Sequence, residues 1–324
     1  MTIVKQRETE LILRAARMYY EAHFSQDQVA AELHTSRSNI SRMLTDAKRL
    51  GFVEIRVVSP AHHHEALSAQ LSSLLKINDV QVIVTTSNDL TLNTIGRAAA
   101  NALLSGLRDN QTIAISWGRG LEATVVNTHS QSFSGLKVTQ LMGSLSSVST
   151  SVSAEEVGRN LAKNLNAQFV PFLAPVVVSN SKVRDSLLEE ESISKTLQLA
   201  RGAHVALVGI GSVGSSSSEM VFSEFKTSKS EREALSQDYA GDIAARFYKR
   251  DGSSLSSKLD NRVIGLTLDE IRAIPRVIGV AVGAEKVLGV VGAARSGLID
   301  TLILDLACAN SIVKSLQPLA VKSA

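Results

Sequence analysis

The stretch SRSNISRMLTDAKRLGFVEIRV, residues 36–57, gathers side chains suited to contacting nucleic acid. Hydroxyls at Ser36, Ser38 and Ser41, an amide at Asn39 and guanidinium groups at Arg37 and Arg42 follow one another closely. Hydroxyls and amides can meet bases or phosphates. Arginine reads guanine with two parallel hydrogen bonds or holds a phosphate. Between 34 and 57 the bases Arg37, Arg42, Lys48, Arg49 and Arg56 face only the acids Asp46 and Glu54. A basic cluster alone also describes the solvated face of a small helical cap domain, so the elements around it decide.

A second set of residues suits a small anionic or polyhydroxylated ligand. Ser116-Trp117-Gly118-Arg119, the run from Gly143 and Ser144 through Ser146 to Thr150, Gly209-Ile210-Gly211-Ser212 and Gly283-Ala284-Glu285-Lys286 each follow an apolar run. Glycine lets a backbone approach a ligand closely, and free N–H groups at helix starts suit anions. Serine adds hydroxyl donors and Lys286 adds charge. Tight strand-to-helix turns need glycine anyway, so the weight lies in four such loops together. Asp242, in YAGDIAARFY, is placed to accept from ligand hydroxyls or to sit as a helix-start carboxylate favoured by the dipole.

The elements that must position these groups are legible. Residues 7–22 carry Leu11, Ala15, Met18, Tyr19 and Ala22 at helical spacing. A second helix opens at FSQDQVAAEL, with Ser25 and Gln28 at capping-box spacing and Phe24 and Val29 placed for a hydrophobic staple. HTS makes a turn, Ser36 caps a third helix, and Ile40, Met43, Leu44 and Ala47 form its apolar stripe. This order predicts a helix-turn-helix, whose second helix enters the major groove. His34 stands where such turns often carry glycine. Residues 53–57 alternate and predict a wing strand, with Arg56 near the sugar-phosphate backbone.

Beyond it, SPAHHHEALSAQLSSLLKI reads as a linker, with a helix carrying Leu67, Leu71, Leu74 and Leu75. Adjacent histidines 62–64 point in different directions, so no metal site is expected. From about 78 the chain alternates apolar strands with helices, which predicts a mostly parallel sheet covered on both faces. Ligands of such sheets bind outside the carboxyl ends of the strands. The expected division is 1–59, a linker helix over 60–77, and 78–324.

Composition narrows the function classes. One cysteine, Cys308, excludes an internal disulfide framework and any multi-cysteine metal site. The whole-chain net charge of +3 does not itself indicate nucleic acid. The N-terminal residues lack an apolar signal core, and 277–294 is broken by Glu285-Lys286, so a cytoplasmic location without a membrane span is expected. No cofactor is expected. A sugar-phosphate isomerase or aldolase-like enzyme is the alternative reading, with Asp242 and Glu285 as candidate bases. No carboxylate pair shows persuasive spacing. The loop after LMG offers Ser144 and Leu145 rather than a lysine for a Schiff base.

Taken in order, ARMYYEAHFSQDQVAAELHTSRSNISRMLTDAKRLGFVEIRV, AISWGRGLEATV, VTQLMGS, FVPFLAPVVV, AHVALVGIGSV, GDIAARFY, NRVIGLTLDEIRAIPRVIGVAVGAEKV and GLIDTLILD resemble the SorC family of sugar-responsive bacterial transcription regulators over nearly the whole chain. The resemblance implies a winged helix-turn-helix followed by an open Rossmann-like α/β effector domain. It also implies a homotetramer, a dimer of dimers, on operator DNA, with a sugar, polyol or sugar phosphate as effector. Repression is the expected sense. By the same resemblance Asp242 and Lys286 contact the effector, Lys286 at the phosphate end. Trp117 walls the pocket and the Gly143 loop completes it. Two departures touch that pocket: Val282 precedes Gly283 where the family has a glycine pair, and Gln237-Asp238-Tyr239-Ala240 stands where glycine-alanine-valine is usual.

Overall fold

The computed structural model describes residues 3–53, 62–85, 91–145, 153–227, 232, 238–255 and 259–316. The chain divides into two compact units, Met1–Pro60 and Ala61–Ala324.

The first unit holds helices α1 (Ile3–Tyr20), α2 (Gln26–Glu32) and α3 (Arg37–Arg49) around Ile12, Ala15, Ala16, Val29, Ala30, Ile40, Leu44 and Ala47. The capping box at α2 forms as its spacing predicts: Gln28 N–H donates to Ser25 Oγ and Ser25 N–H to Gln28 Oε1. Val29 is buried but Phe24 stays 39 % exposed, which leaves the expected staple little area to cover. The expected face of α1 holds in its middle, with Ala15 buried and Met18 and Tyr19 packed against the core, and differs at its two ends. Leu11 is 42 % exposed while Ile12 is buried, and Ala22 lies past the helix end. Apolar residues fill 11, 12 and 13 in succession, so spacing left a 100° rotation open. His34 takes φ +50°, the left-handed conformation that turns usually give to glycine. His34 is exposed, so His34→Gly relieves backbone strain and sacrifices little packing. It should raise the unfolding free energy of this unit by about 0.5–1 kcal/mol, read by thermal or urea denaturation. Of the expected wing strand, Val53 packs against this core; the rest, Arg56 included, lies outside the described residues.

The second unit is an eight-stranded sheet. Its strands are β1 (His62–His63), β2 (Asp79–Val84), β3 (Thr112–Ile115), β4 (Lys137–Gln140), β5 (Gln168–Val170), β6 (Val205–Gly209), β9 (Val277–Ala281) and β10 (Thr301–Asp305). Their order is β1-β2-β10-β9-β6-β3-β4-β5, and every pair except β1–β2 is parallel. A hairpin, β7 (Tyr239–Ile243) with β8 (Arg246–Lys249), stands outside it. Alternate residues of the inner strands β2, β10, β9, β6 and β3 feed two cores. On β6, Val205 and Leu207 join one core, and Ala206 and Val208 the other. The first core takes α5 (Thr91–Ser105), α6 (Arg119–Val126) and α7 (Ala154–Asn164). The other takes α4 (Glu65–Leu75), α9 (Glu191–Arg201), α10 (Ser216–Phe225), α11 (Leu268–Arg272), α12 (Val287–Arg295) and α13 (Leu306–Leu316). α8 (Ser181–Glu189) lies on that side too, through Leu187 and Leu188. Near-continuous burial along β3, β9 and β10 is what a sheet covered on both faces requires.

Two expectations are corrected. The 60–77 segment is not a free-standing linker. His62 and His63 pair antiparallel with Val84 and Ile83, and Leu67, Leu71 and Leu75 enter the second unit's core. His64 caps α4, its Nδ1 accepting from Leu67 N–H at 3.3 Å. Leucine at i, i+4 and i+8 drives the helix down, because burying each removes apolar area from water. Second, the helix-start alternative for Asp242 falls: it lies in β7 and is 4 % exposed.

Candidate functional site

On α3 the chemistry-bearing side chains are pre-arranged. Ser36 caps the helix, its Oγ accepting from Asn39 N–H at 3.2 Å, and lies 2.9 Å from Ser38 Oγ. Asn39 Nδ2 donates to Thr35 Oγ1 at 2.9 Å, and Arg42 Nη2 donates to Asn39 Oδ1 at 2.8 Å. Thr35, Ser36, Ser38, Asn39 and Arg42 together line a polar concavity at the start of the helix. Ser41 is exposed beside them. Arg37 is exposed and 3.7 Å from Asp27 of α2, an ion pair worth little in water. The buried stripe of Ile40, Leu44 and Ala47 fixes which face of α3 points outward. Six of the seven residues expected to meet DNA therefore sit on one exposed helix start; Arg56 lies outside the described residues.

In the second unit the four expected loops follow β9, β6, β3 and β4, which are adjacent in that order. All four strands are parallel, so their carboxyl ends share one edge. Strand order reverses between β6 and β3: from β3 the chain steps outward to β4 and β5, then returns to place β6 on the other side. Such a reversal opens a crevice between the two diverging loops. Gly118, after β3, takes φ +134°, closed to other residues, and the space a side chain would fill there is open. It caps α6 with no side-chain hydrogen bond, so the first N–H groups of that helix face a place where an anion is favoured. Trp117 is nearly buried under this turn, and Ser116 Oγ accepts from Gly209 N–H at 3.1 Å, tying the two loops across the crevice.

Asp242 joins the same edge. Gly211 N–H donates to the Asp242 carbonyl at 2.9 Å, and a methyl group at 211 would overlap the Asp242 carboxylate. Tyr239 and Ser218 hydroxyls donate to Asp242 Oδ1 at 2.9 and 3.0 Å. Burial pushes the Asp242 carboxyl above the usual range, against the lowering from those two hydrogen bonds and from Lys286. Lys286, half-buried after β9, is pushed down chiefly by burial and further by Arg119, with Asp242 and Glu285 opposing. Asp242, Lys286, Glu285 and Arg119 thus form one electrostatic group. Gly283 N–H donates to Asp305 Oδ1 at 2.9 Å, fixing the turn that leads to Lys286.

Gly143 and Ser144 differ from expectation. Gly143 N–H donates to Ile264 and Ser144 N–H to Ala174, and a methyl at 143 would overlap the carbonyls of Ala174 and Pro175. Glycine is needed there for packing against the chain, so these two backbone donors are already used. Gln140, buried at the end of β4, anchors the turn by donating to Met142 O and Ser144 Oγ. Ser146 lies outside the described residues. Sequence reading missed Tyr239, Ser218 and Gln140. The serine run 215–218 was visible but read as loop, whereas Ser215 stands at the N-cap position of α10, without a side-chain capping bond, and Ser216–Ser218 form its first turn.

The family model described as "Putative sugar-binding domain" (Sugar-bind) matches residues 59–314. The chain belongs to this family. It is a SorC-type transcriptional regulator, by relatives that match it over about 95% of its length. It is 28% identical to the deoxyribonucleoside regulator of Bacillus subtilis, covering 96% of this chain and 99% of the relative. It is 26% identical to the sorbitol operon regulator of Klebsiella pneumoniae, with 95% and 98% covered. The crystal structure of that full-length regulator, SorC, superposes with a TM-score of 0.71 at 25% identity, covering 95% of this chain and 99% of the other. A sugar-binding regulator domain from Arthrobacter aurescens gives a TM-score of 0.70 at 26% identity, covering 79% of this chain. Among the described residues of this SorC-type chain, no helix is long and apolar enough to cross a membrane.

Proposed function

We propose that this SorC-type regulator holds operator DNA through the start of α3 and changes its grip when a small sugar, polyol or sugar phosphate binds its second unit. The pocket is assigned to the carboxyl ends of β9, β6, β3 and β4. The observation that carries this reading is the convergence there of an open glycine turn at a helix start, a carboxylate and two cations. A carboxylate accepts from sugar hydroxyls. Lys286, Arg119 and the α6 N–H groups suit a phosphate. Relatives named for deoxyribonucleosides and for sorbitol fit that ligand class.

On DNA, Ser36, Ser38, Asn39, Ser41 and Arg42 meet base edges or phosphates, with Arg37 and Arg56 on the backbone. Binding works as population shift: the effector favours one arrangement of a homotetramer, a dimer of dimers, by its differential affinity for it. Release of the operator on effector binding makes the protein a cytoplasmic repressor. The pocket performs no turnover in this reading. Tyr239 and Ser218 engage Asp242, and among the described residues no second carboxylate is hydrogen-bonded to it.

Trp117 is the sole tryptophan and lies under the crevice, so its emission reports occupancy directly. Titration with a panel of sugar phosphates and free polyols should give a saturable change for one compound class and leave each compound chemically unchanged. A flat response across the panel, or turnover of a compound, contradicts the proposal.

A further inference from the structure

Behind Asp242 lies a closed cluster of hydroxyl groups that the assigned contacts do not use. Tyr239 is 1 % exposed and Ser218 is fully buried. Tyr239 OH stands 2.7 Å from Ser218 Oγ, and both donate to the same carboxylate oxygen, Oδ1 of Asp242. The single Ser218 proton lies between Asp242 Oδ1 and Ser212 O, the latter 2.9 Å away, and Ser218 Oγ lies 3.3 Å from Ser215 Oγ. The tyrosine ring is held independently: it meets Phe222 edge-on at 5.5 Å and Phe247 edge-on at 5.4 Å. The second oxygen, Oδ2, receives no hydrogen bond from the described residues.

We propose that Tyr239 and Ser218 are positioning residues for the effector: their paired hydroxyls fix Oδ1 of Asp242, so that Oδ2 is the acceptor presented to a ligand hydroxyl. This rests on the assignment of the pocket given above. A carboxylate that is free to turn offers either oxygen to solvent or ligand, and its immobilisation must then be supplied by binding. Two donors on one oxygen remove that freedom beforehand. They also favour the charged form that accepts, against burial, which disfavours it. The other groups facing Asp242 are Lys286, which supports its charge, and Tyr248, whose own ionisation Asp242 opposes. Tyr248 OH is engaged with Gly289 O at 3.0 Å instead.

The test follows the Asp242 carboxyl itself in the full-length protein. Infrared spectra are recorded across pH with carboxyl-labelled aspartate, and the Asp242→Asn spectrum is subtracted. Tyr239→Phe keeps both ring contacts, and Ser218→Ala changes little volume. Each should raise the titration midpoint of Asp242 by about one pH unit, because each removes a hydrogen bond to the charged form. Each should also weaken sugar-phosphate binding, read by Trp117 emission, by about fivefold at the wild-type midpoint, approaching about tenfold below it and fading at higher pH. A role confined to packing leaves the midpoint where it is. Midpoints equal to wild type in both variants overturn the clamp while leaving the pocket in place. A wild-type protein whose emission answers no sugar phosphate or polyol overturns the pocket and, with it, the role given to Tyr239.

Discussion

Lys286→Ala is expected to keep its operator affinity and lose its response to a phosphorylated effector. An amine paired with a phosphate in a half-buried site contributes about 2–5 kcal/mol, so the effector concentration needed for half response should rise at least about 30-fold. Response to an unphosphorylated polyol should change far less, because Asp242 and the loop hydroxyls carry that part. The alkaline side gives a second check. Burial, and then Arg119, lower the Lys286 pKa, and only the protonated amine holds a phosphate. The response to a phosphorylated ligand should therefore be present below the lowered pKa and fade as pH rises through it. Lys286→Arg should retain charge throughout and flatten that fade. Half-response measured by Trp117 emission across pH, for wild type and both variants, reads all of this. An unchanged half-response in Lys286→Ala removes the phosphate from this end of the pocket.

Arg42→Ala is expected to weaken operator binding by about 1–3 kcal/mol, a factor of roughly 5–150, without altering effector uptake. Arg42 is exposed on α3, its guanidinium already oriented by Asn39, which is oriented by Thr35. The alanine variant loses the contact and frees Asn39 as well. Arg42→Lys keeps charge but not the flat fork, so it should fall between the two if the contact is to a guanine edge. If the contact is to a phosphate, lysine should restore most of the binding, and the salt dependence should fall by about one ion for alanine only. Anisotropy titrations of labelled operator at two salt concentrations separate these cases. Wild-type affinity in Arg42→Ala would mean that a different face of α3 meets DNA.

Where apolar spacing, caps and glycine turns agree, sequence and structure agree. Ser25, Gln28 and Ser36 cap as their positions predict, Ile40, Leu44 and Ala47 face inward, and the four glycine-bearing loops follow adjacent parallel strands. His34 in the turn looked like a departure, yet it adopts the glycine conformation. The hairpin that carries Asp242 was illegible for a specific reason. Its two-residue turn is Ala244-Ala245, both at positive φ, where hairpins of this kind usually show asparagine-glycine. Alanines between GDI and RFY carry no turn signal, so nothing marked a hairpin, and a helix start stayed open as one of two readings of Asp242. α8 was missed because it buries no residue fully, and a helix with so little apolar stripe leaves little pattern to find. Tyr239 and Ser218 escaped because hydroxyls 21 positions apart meet only through tertiary packing.

The central claim is that one chain couples a DNA-reading helix to a sugar-binding crevice. It is tested most directly by operator binding of the purified full-length protein, using DNA from upstream of its own gene, with sugar phosphates and free polyols added one at a time. One compound class should shift operator affinity, and Lys286→Ala should bind the same DNA but fail to respond to that compound when it is phosphorylated. Operator binding that no member of the panel alters, in a protein whose Trp117 emission shows the crevice filling, would contradict the coupling.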